Sequence, residues 1–201
     1  MLRALILDYG VGNLFSIKCS LEKSGFKAEV ISDAENLREA DAIVLPGVGN
    51  FGAGARNIGR LRETLLKLVD EGVPLLGVCL GMQLLLEESC EGTGRGLGIF
   101  KGRVIKLPST VKTPHIGWNT VEIVEPIEIL ENIGEKDYFY FVHSYYAFPQ
   151  DKRIIAAETE YGVKFPSVIS QRNVFGVQFH PEKSGKPGEQ ILRNFLRIVK
   201  H

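Results

Sequence analysis

Four short apolar runs constrain this chain more than any other feature. They are Ala4-Leu5-Ile6-Leu7, Ala28-Glu29-Val30-Ile31, Ala42-Ile43-Val44-Leu45 and Val73-Pro74-Leu75-Leu76-Gly77-Val78. Each is strand-length and dominated by apolar residues, which is how a strand buried on both faces reads. Helical segments separate them. The first sets Leu14, Ile17 and Leu21 on one face, with Gly25 as its stop. After a short polar stretch and the third strand, a long amphipathic helix carries Ile58, Leu61, Leu65, Leu68 and Val69 on one stripe and closes at Gly72. Strands and helices in this alternation predict an α/β three-layer sandwich with a central, mostly parallel sheet. Active sites in such sheets lie beyond the carboxyl ends of strands. Asp8, the loop Pro46-Gly47-Val48-Gly49 and Cys79 all fall there.

From about Gly96 the rhythm changes. Short strands are expected at 102–107, 118–123, 138–142, 154–157, 167–170 and 174–179, forming a smaller mixed or antiparallel portion. Pro187 opens a final helix with Ile191, Leu192, Phe195, Leu196 and Val199 on its buried face. No repeat, low-complexity tract or linker interrupts the chain, so 1–201 is expected to be a single domain. Lys plus Arg and Asp plus Glu number 24 each. That balance leaves no basic field to hold nucleic acid or an anionic membrane surface. Three cysteines, an odd number at irregular spacing, argue against a disulfide framework and for a reducing, cytoplasmic setting. The first apolar run ends at Asp8, too short for a signal peptide or a membrane span.

One of those cysteines stands on a sharp strand-to-helix turn, Gly77-Val78-Cys79-Leu80-Gly81, followed by the helix formers Met82-Gln83-Leu84-Leu85-Leu86-Glu87-Glu88. This is the nucleophile-elbow pattern with sulfur in place of oxygen. A helix N-terminus behind the sulfur favours thiolate over thiol. The bland alternative is a buried structural cysteine. A nucleophile needs a base, and the base an orienting group. Of the four histidines, His180 follows an apolar strand and precedes Pro181-Glu182. In extended chain, residues two apart share a side, which would let Glu182 reach the His180 imidazole. A surface turn is the other reading of His-Pro-Glu. The Leu80 N–H, next to the nucleophile, and the backbone of Gly47-Val48 are candidates for an oxyanion hole. Flanking glycines would let the Gly47-Val48 peptide change orientation.

Two other chemistries fit poorly. Gly10-Val11-Gly12 begins like a dinucleotide fingerprint, but Phe15 occupies the third glycine position. Cys19, Cys79, Cys90 and the histidines show no metal-ligand spacing. Neither a cofactor nor a metal is expected.

Taken together, Pro46-Gly47-Val48-Gly49, Gly77-Val78-Cys79-Leu80-Gly81-Met82-Gln83 and Val177-Gln178-Phe179-His180-Pro181-Glu182-Lys183 resemble class I glutamine amidotransferases, a flavodoxin-like fold family. Asp8-Tyr9-Gly10-Val11-Gly12-Asn13, His115-Ile116-Gly117-Trp118-Asn119 and Tyr140-Phe141-Val142-His143-Ser144-Tyr145 are similar to the branch that serves imidazole glycerol phosphate synthase. The resemblance runs in order from residue 8 to about 184. It implies a Cys79–His180–Glu182 triad that hydrolyses glutamine through a thioester, with Gly49, Gln83, Glu91, Ser144 and Tyr145 around the glutamine. It also implies that the ammonia passes to a (β/α)8-barrel cyclase, HisF, in a heterodimer for histidine biosynthesis. Asn13, Trp118 and Lys183 are then candidates for the docking face. The rivals are a glutaminase serving another synthase, such as anthranilate or GMP synthase, a cysteine peptidase of similar fold, and a binding module.

Overall fold

The computed structural model describes residues 1–201. In chain order the elements are β1 (Arg3–Leu7), α1 (Leu14–Ser24), β2 (Lys27–Ile31), α2 (Ala34–Leu37), β3 (Ala42–Leu45), α3 (Phe51–Asn57), α4 (Arg62–Asp70), β4 (Leu75–Val78) and α5 (Leu80–Leu84). Then come β5 (Glu88–Ser89), β6 (Gly102–Lys106), β7 (His115–Thr120), β8 (Glu122–Ile123), β9 (Tyr138–His143), β10 (Tyr145–Pro149), β11 (Ile155–Glu160), β12 (Lys164–Gln171), β13 (Val174–Val177) and α6 (Gly185–Lys200).

An eight-stranded sheet, ordered β2-β1-β3-β4-β13-β12-β11-β8, forms the middle layer. Its first five strands are parallel and the rest antiparallel, so the later strands extend the same sheet. Alternation along β1 sorts the two faces. Ala4 and Ile6 pack toward α1 and α6 residues such as Leu21 and Phe195. Leu5 and Leu7 pack toward Phe51, Leu65 and Leu80 on the opposite side. The expected α/β sandwich is present, with a mostly parallel sheet at its centre.

The pairing that matters most for the site is β4 with β13, elements almost 100 residues apart in sequence. Val78 lies opposite Val177, and Gly77 opposite Gly176. The residues just beyond the two strands, Cys79 on one and Gln178 to His180 on the other, are thereby delivered to one place.

Several local expectations change. The helix expected as one long piece before Gly72 is α3, a 3-10 turn at Ile58–Arg60, and α4. Gly59, a poor helix former, lies in the break, yet Ile58, Leu61, Leu65, Leu68 and Val69 all stay buried. The elbow helix stops at Leu84 instead of running to Glu88. The carbonyls of Leu84, Leu85 and Leu86 accept hydrogen bonds from the N–H groups of Leu97, Phe100 and Gly98, so tertiary partners take the groups that would have extended it. The strand expected at 118–123 is divided at buried Val121 into β7 and β8. Pro187 is the third residue of α6 rather than its first, still in the turn where no N–H has an intrahelical partner. Strands β5 and β10 are additions to those expected.

Strands β7 and β9 form a separate antiparallel ribbon, pairing His115 with His143, Gly117 with Phe141 and Trp118 with Tyr140. One face, with His115, His143, Phe139 and Phe141, is buried; the other leaves Ile116, Trp118 and Tyr138 exposed. His115 Nδ1 lies 3.1 Å from His143 Nε2, and the His115 ring stacks on Tyr161 with centroids 4.0 Å apart. Burial lowers the His115 pKa to about 4. It lowers His143 to about 3, against the bond to the Tyr145 carbonyl and with His115 and His180 adding to the effect. An unfolded chain protonates these rings below about pH 6.5, whereas the native chain does so only near its lower values. The unfolded state therefore holds more protons through that window, and stability falls as pH drops, by up to about 1.4 kcal/mol per pH unit for each ring. Urea midpoints recorded from pH 7 to 4.5 should decline with a shallower slope in His115→Phe than in the parent. Parallel slopes would disprove the assignment.

Candidate active site

Cys79 occupies a backbone conformation few side chains adopt, with φ 52 and ψ −106. Such strain costs roughly 1–3 kcal/mol and persists only where the surroundings over-determine it. Here its N–H donates to the Val177 carbonyl at 2.8 Å, and its own carbonyl accepts from Gln83 N–H at 3.1 Å. The glycine at 81 is demanded by close approach: an added Cβ would lie 1.7 Å from the Leu45 carbonyl oxygen. At Gly77 an added Cβ would meet the Gly81 backbone at 2.8 Å.

His180 Nδ1 is 2.8 Å from Glu182 Oε1, and both side chains are almost entirely shielded from solvent. Because the carboxylate accepts, Nδ1 carries the hydrogen, and Nε2 is left without a hydrogen-bond partner in the protein. Burial works against a charged imidazole, but interactions with Cys79 and then Glu182 outweigh it and raise the His180 pKa. The contact arises differently from the strand alternation expected for it. His180 is extended, but Pro181–Lys183 is a 3-10 turn, and the turn swings Glu182 back onto the ring. The Ser184 hydroxyl, donating to the His180 carbonyl at 2.6 Å, holds that turn. Imidazole and carboxylate are thus paired as a base and its orienter would be, just beyond the strand that lies beside the cysteine's own.

The candidate oxyanion donors are close together but not free. Leu80 N–H donates to the Gly47 carbonyl at 3.3 Å, so the Gly47-Val48 peptide turns an oxygen toward the donor that an oxyanion would need. Tyr9, whose hydroxyl donates to the Pro46 carbonyl, pins the loop from the β1 side. A Cβ at Gly47 would meet that hydroxyl at 2.6 Å and the Leu80 Cβ at 2.8 Å. A Cβ added at Gly12, in the turn that began like a dinucleotide fingerprint, would lie 3.4 Å from Gly47 Cα.

The candidate glutamine contacts divide. Gly49, with φ 125, leads into the α3 N-terminus, where Glu91 Oε2 accepts from Phe51 N–H at 2.7 Å. Glu91 is therefore anchored beside the loop. Tyr145 stands near it: burial first, and then the Glu91 charge, raises the Tyr145 pKa. Gln83 is buried, not facing open solvent. Its Nε2 donates to the Tyr145 carbonyl at 2.8 Å and to Gln178 Oε1 at 3.1 Å. The Ser144 carbonyl accepts from Leu107 N–H, so both carbonyls of the 144–145 segment already serve internal bonds.

Trp118 is 55% exposed, which removes core packing as its role. Its ring centroid lies 5.8 Å from that of Tyr140, over which Lys183 Nζ sits at 5.6 Å. Asn13 is exposed and caps α1, its Oδ1 accepting from Ser16 N–H at 3.3 Å.

Sequence reasoning assigns no role to Gln178 or Tyr9. Gln178 lies two residues before His180, and the spacing argument applied to His180 and Glu182 could have found it.

The sequence model of the family described as "Glutamine amidotransferase class-I" matches residues 5–199. The chain belongs to this family. Imidazole glycerol phosphate synthase subunit HisH of Methanocaldococcus jannaschii is 51% identical to this amidotransferase over 195 residues, covering 96% of this chain and 98% of that protein. The subunit of the same name from Pyrococcus furiosus is 50% identical, covering 98% and 99%. Among solved structures, PurLQS from Thermotoga maritima superposes with a TM-score of 0.81 at 20% identity, over 98% of this chain and 99% of that one. A glutamine amidotransferase from the same organism gives 0.71 at 15%, over 100% and 99%. Those two likenesses concern the amidotransferase fold. No helix of this chain is long and apolar enough to cross a membrane.

Proposed function

We propose that this chain is the glutaminase subunit of imidazole glycerol phosphate synthase, working with the cyclase subunit HisF. One observation carries the reading: the His180–Glu182 pair, 2.8 Å apart and buried, is delivered beside a strained elbow cysteine in a chain that matches HisH proteins at about half identity from end to end.

In this reading the Cys79 sulfur attacks the side-chain amide carbon of glutamine. The carbonyl oxygen becomes an oxyanion. Collapse breaks the C–N bond, and a proton delivered through His180 Nε2 lets ammonia depart, leaving a thioester on Cys79. Water, giving a proton to the same nitrogen, then cleaves the thioester to glutamate. Glu182 keeps the imidazole in the tautomer that both steps need. The ammonia is consumed on the cyclase, which docks on the exposed side of the β7–β9 ribbon and the neighbouring Lys183 and Asn13. Aromatic side chains are frequent anchors of such interfaces, and Trp118 is the candidate here.

Reconstitution tests the assignment. Mixed with HisF and the cyclase substrate, the chain should support imidazole glycerol phosphate formation with glutamine as nitrogen donor; no product would defeat it. A conformational prediction comes with it. With the Gly47 carbonyl on the Leu80 N–H, the hole lacks donors, and a missing donor costs ~10²–10³ in rate. The isolated chain should therefore hydrolyse glutamine poorly, and the loaded cyclase should accelerate it at least a hundredfold, on the same scale. Equal turnover in both states would refute a switchable Gly47-Val48 peptide.

A further inference from the structure

A chain of hydrogen bonds, buried at both ends and part-buried at Tyr145, runs from the ribbon into the nucleophile. His115 Nδ1 meets His143 Nε2 at 3.1 Å. His143 Nδ1 meets the Tyr145 carbonyl at 3.0 Å, and that carbonyl is also 2.8 Å from Gln83 Nε2. Gln83 Nε2 is 3.1 Å from Gln178 Oε1, and Gln178 Nε2 is 3.5 Å from Cys79 Sγ. Gln178 has no solvent exposure at all.

The direction of every bond in this chain follows from one atom. A backbone carbonyl can only accept, so the Gln83 atom facing Tyr145 must be its NH2 group. That same nitrogen faces Gln178, whose near atom must then be its oxygen. The other end of the Gln178 amide, the NH2, is left facing the sulfur. The assignment does not depend on telling nitrogen from oxygen in either amide. The same carbonyl takes the Nδ1 hydrogen of His143, which makes His143 Nε2 an acceptor and His115 Nδ1 its donor. The low proton affinity of His143 keeps it neutral, and the network in this one polarity, across the range in which enzymes of this kind work.

We propose that Gln178 is a further catalytic residue, whose side-chain N–H donates to the Cys79 sulfur, holding it in place and favouring its anionic form. The donor comes from the segment between β13 and His180, so it sits on the core side of the nucleophile, braced by Gln83 and Tyr145. His180 supplies the proton chemistry. Gln178 supplies a neutral, fixed dipole that asks nothing of the proton inventory and survives protonation changes around it. A hydrogen bond to a charged acceptor is about twice as strong as one to a neutral acceptor, so this contact discriminates between thiolate and thiol. The sulfur's other neighbours are the Val142 carbonyl on β9, at the longer distance of 3.9 Å, and two titratable groups, His180 after β13 and Tyr9 after β1.

The inference rests on Cys79 being the nucleophile, and its test is read at Cys79 without glutamine. The full chain is treated with iodoacetamide from pH 5 to 9, and alkylation of the Cys79 peptide is followed by mass spectrometry, apart from Cys19 and Cys90. Gln178→Leu keeps bulk and removes the donor; Gln178→Glu puts an acceptor in its place. The midpoint of the alkylation profile should rise by about one pH unit in the first, matching roughly a tenfold change in the thiolate equilibrium, and by more in the second. In the reconstituted complex, kcat should fall about tenfold for Gln178→Leu with KM little changed. Gln83→Leu, which removes the brace without touching the sulfur, should shift the glutamine-free midpoint in the same direction by less, and decides the matter if the Gln178 variants do not fold. Unshifted midpoints overturn the proposal, and so does lost turnover with an unshifted midpoint, which is what a merely structural role would give. A parent that alkylates as expected but never hydrolyses glutamine would defeat the glutaminase assignment and leave this result standing.

Discussion

Replacing Cys79 with alanine should abolish imidazole glycerol phosphate synthesis from glutamine and leave synthesis from free ammonia, supplied to the same complex, essentially intact. The reason is a division of labour between two active sites. In the proposed mechanism glutamine's amide is released only through the sulfur, with His180 and Glu182 moving and orienting protons and forming no bond to the acyl carbon. Removing a nucleophile that acts as a unit with its base lowers turnover by on the order of 10⁵–10⁶. The replacement itself removes only one sulfur from a site that the elbow backbone, not the side chain, holds in shape. The Cys79 N–H bond to Val177 and the carbonyl bond to Gln83 N–H are both main-chain, so the alanine protein should still dock and still complete the complex. Product formation is measured with each nitrogen source in turn. Loss of both activities would show that this chain does more than make ammonia; survival of both would remove Cys79 from the mechanism.

Gly81→Ala should be the most damaging single methyl group in the protein. A Cβ built there lies 1.7 Å from the Leu45 carbonyl oxygen, 2.7 Å from its carbon and 3.3 Å from the Leu45 side chain. Neither of the first two can yield like the end of a flexible side chain, because both belong to β3, which is hydrogen-bonded to its neighbours in the middle of the sheet. Either α5 backs away from β3 or β3 distorts. Overpacking in well-ordered cores costs typically 1–3 kcal/mol and occasionally more, and a clash with backbone belongs at or beyond the upper end. A loss of about 3 kcal/mol lowers the melting temperature of a chain this size by roughly 6–12 °C. Activity should fall as well, since α5 carries Leu80 and Gln83. Calorimetry on the purified variant checks the first point, and a melting temperature within about 2 °C of the parent, less than about 1 kcal/mol by the same scaling, would refute the steric account. Gly72→Ala is the control: it has open space around its Cβ position, although its φ of 97 makes it mildly unfavourable.

The fold was legible where burial is two-sided and the chain is local. Uninterrupted apolar strands such as Ala42–Leu45 can only sit inside a covered sheet, and the cysteine between two glycines marked the elbow without any neighbour being known. Boundaries were less legible because they answer to partners far away in sequence. The elbow helix has the composition to reach Glu88 and stops at Leu84 because residues 97–100 claim its carbonyls. The 51–70 segment keeps a single buried stripe while its backbone changes helix type at Ile58–Arg60. Exposed Trp118 shows the same limit from the other side. A lone tryptophan in a strand pattern reads equally as core or as surface, and only the pairing of β7 with β9 decides which face is covered.

For the site, the residue types and their order along the chain nominate Cys79, His180 and Glu182 as candidate nucleophile, base and orienter, because thiol-based acyl transfer needs those three roles. What the sequence could not determine is contained in geometry between segments. The register of β4 against β13 delivers Gln178 and His180 to the sulfur. A 3-10 turn, not strand alternation, brings Glu182 back to the imidazole. The orientation of a single peptide sets the Gly47 carbonyl on the Leu80 N–H. Residue identity sets what a group can donate or accept, whereas the long-range pairing of backbone sets what it meets, and no local pattern in the chain encodes the second.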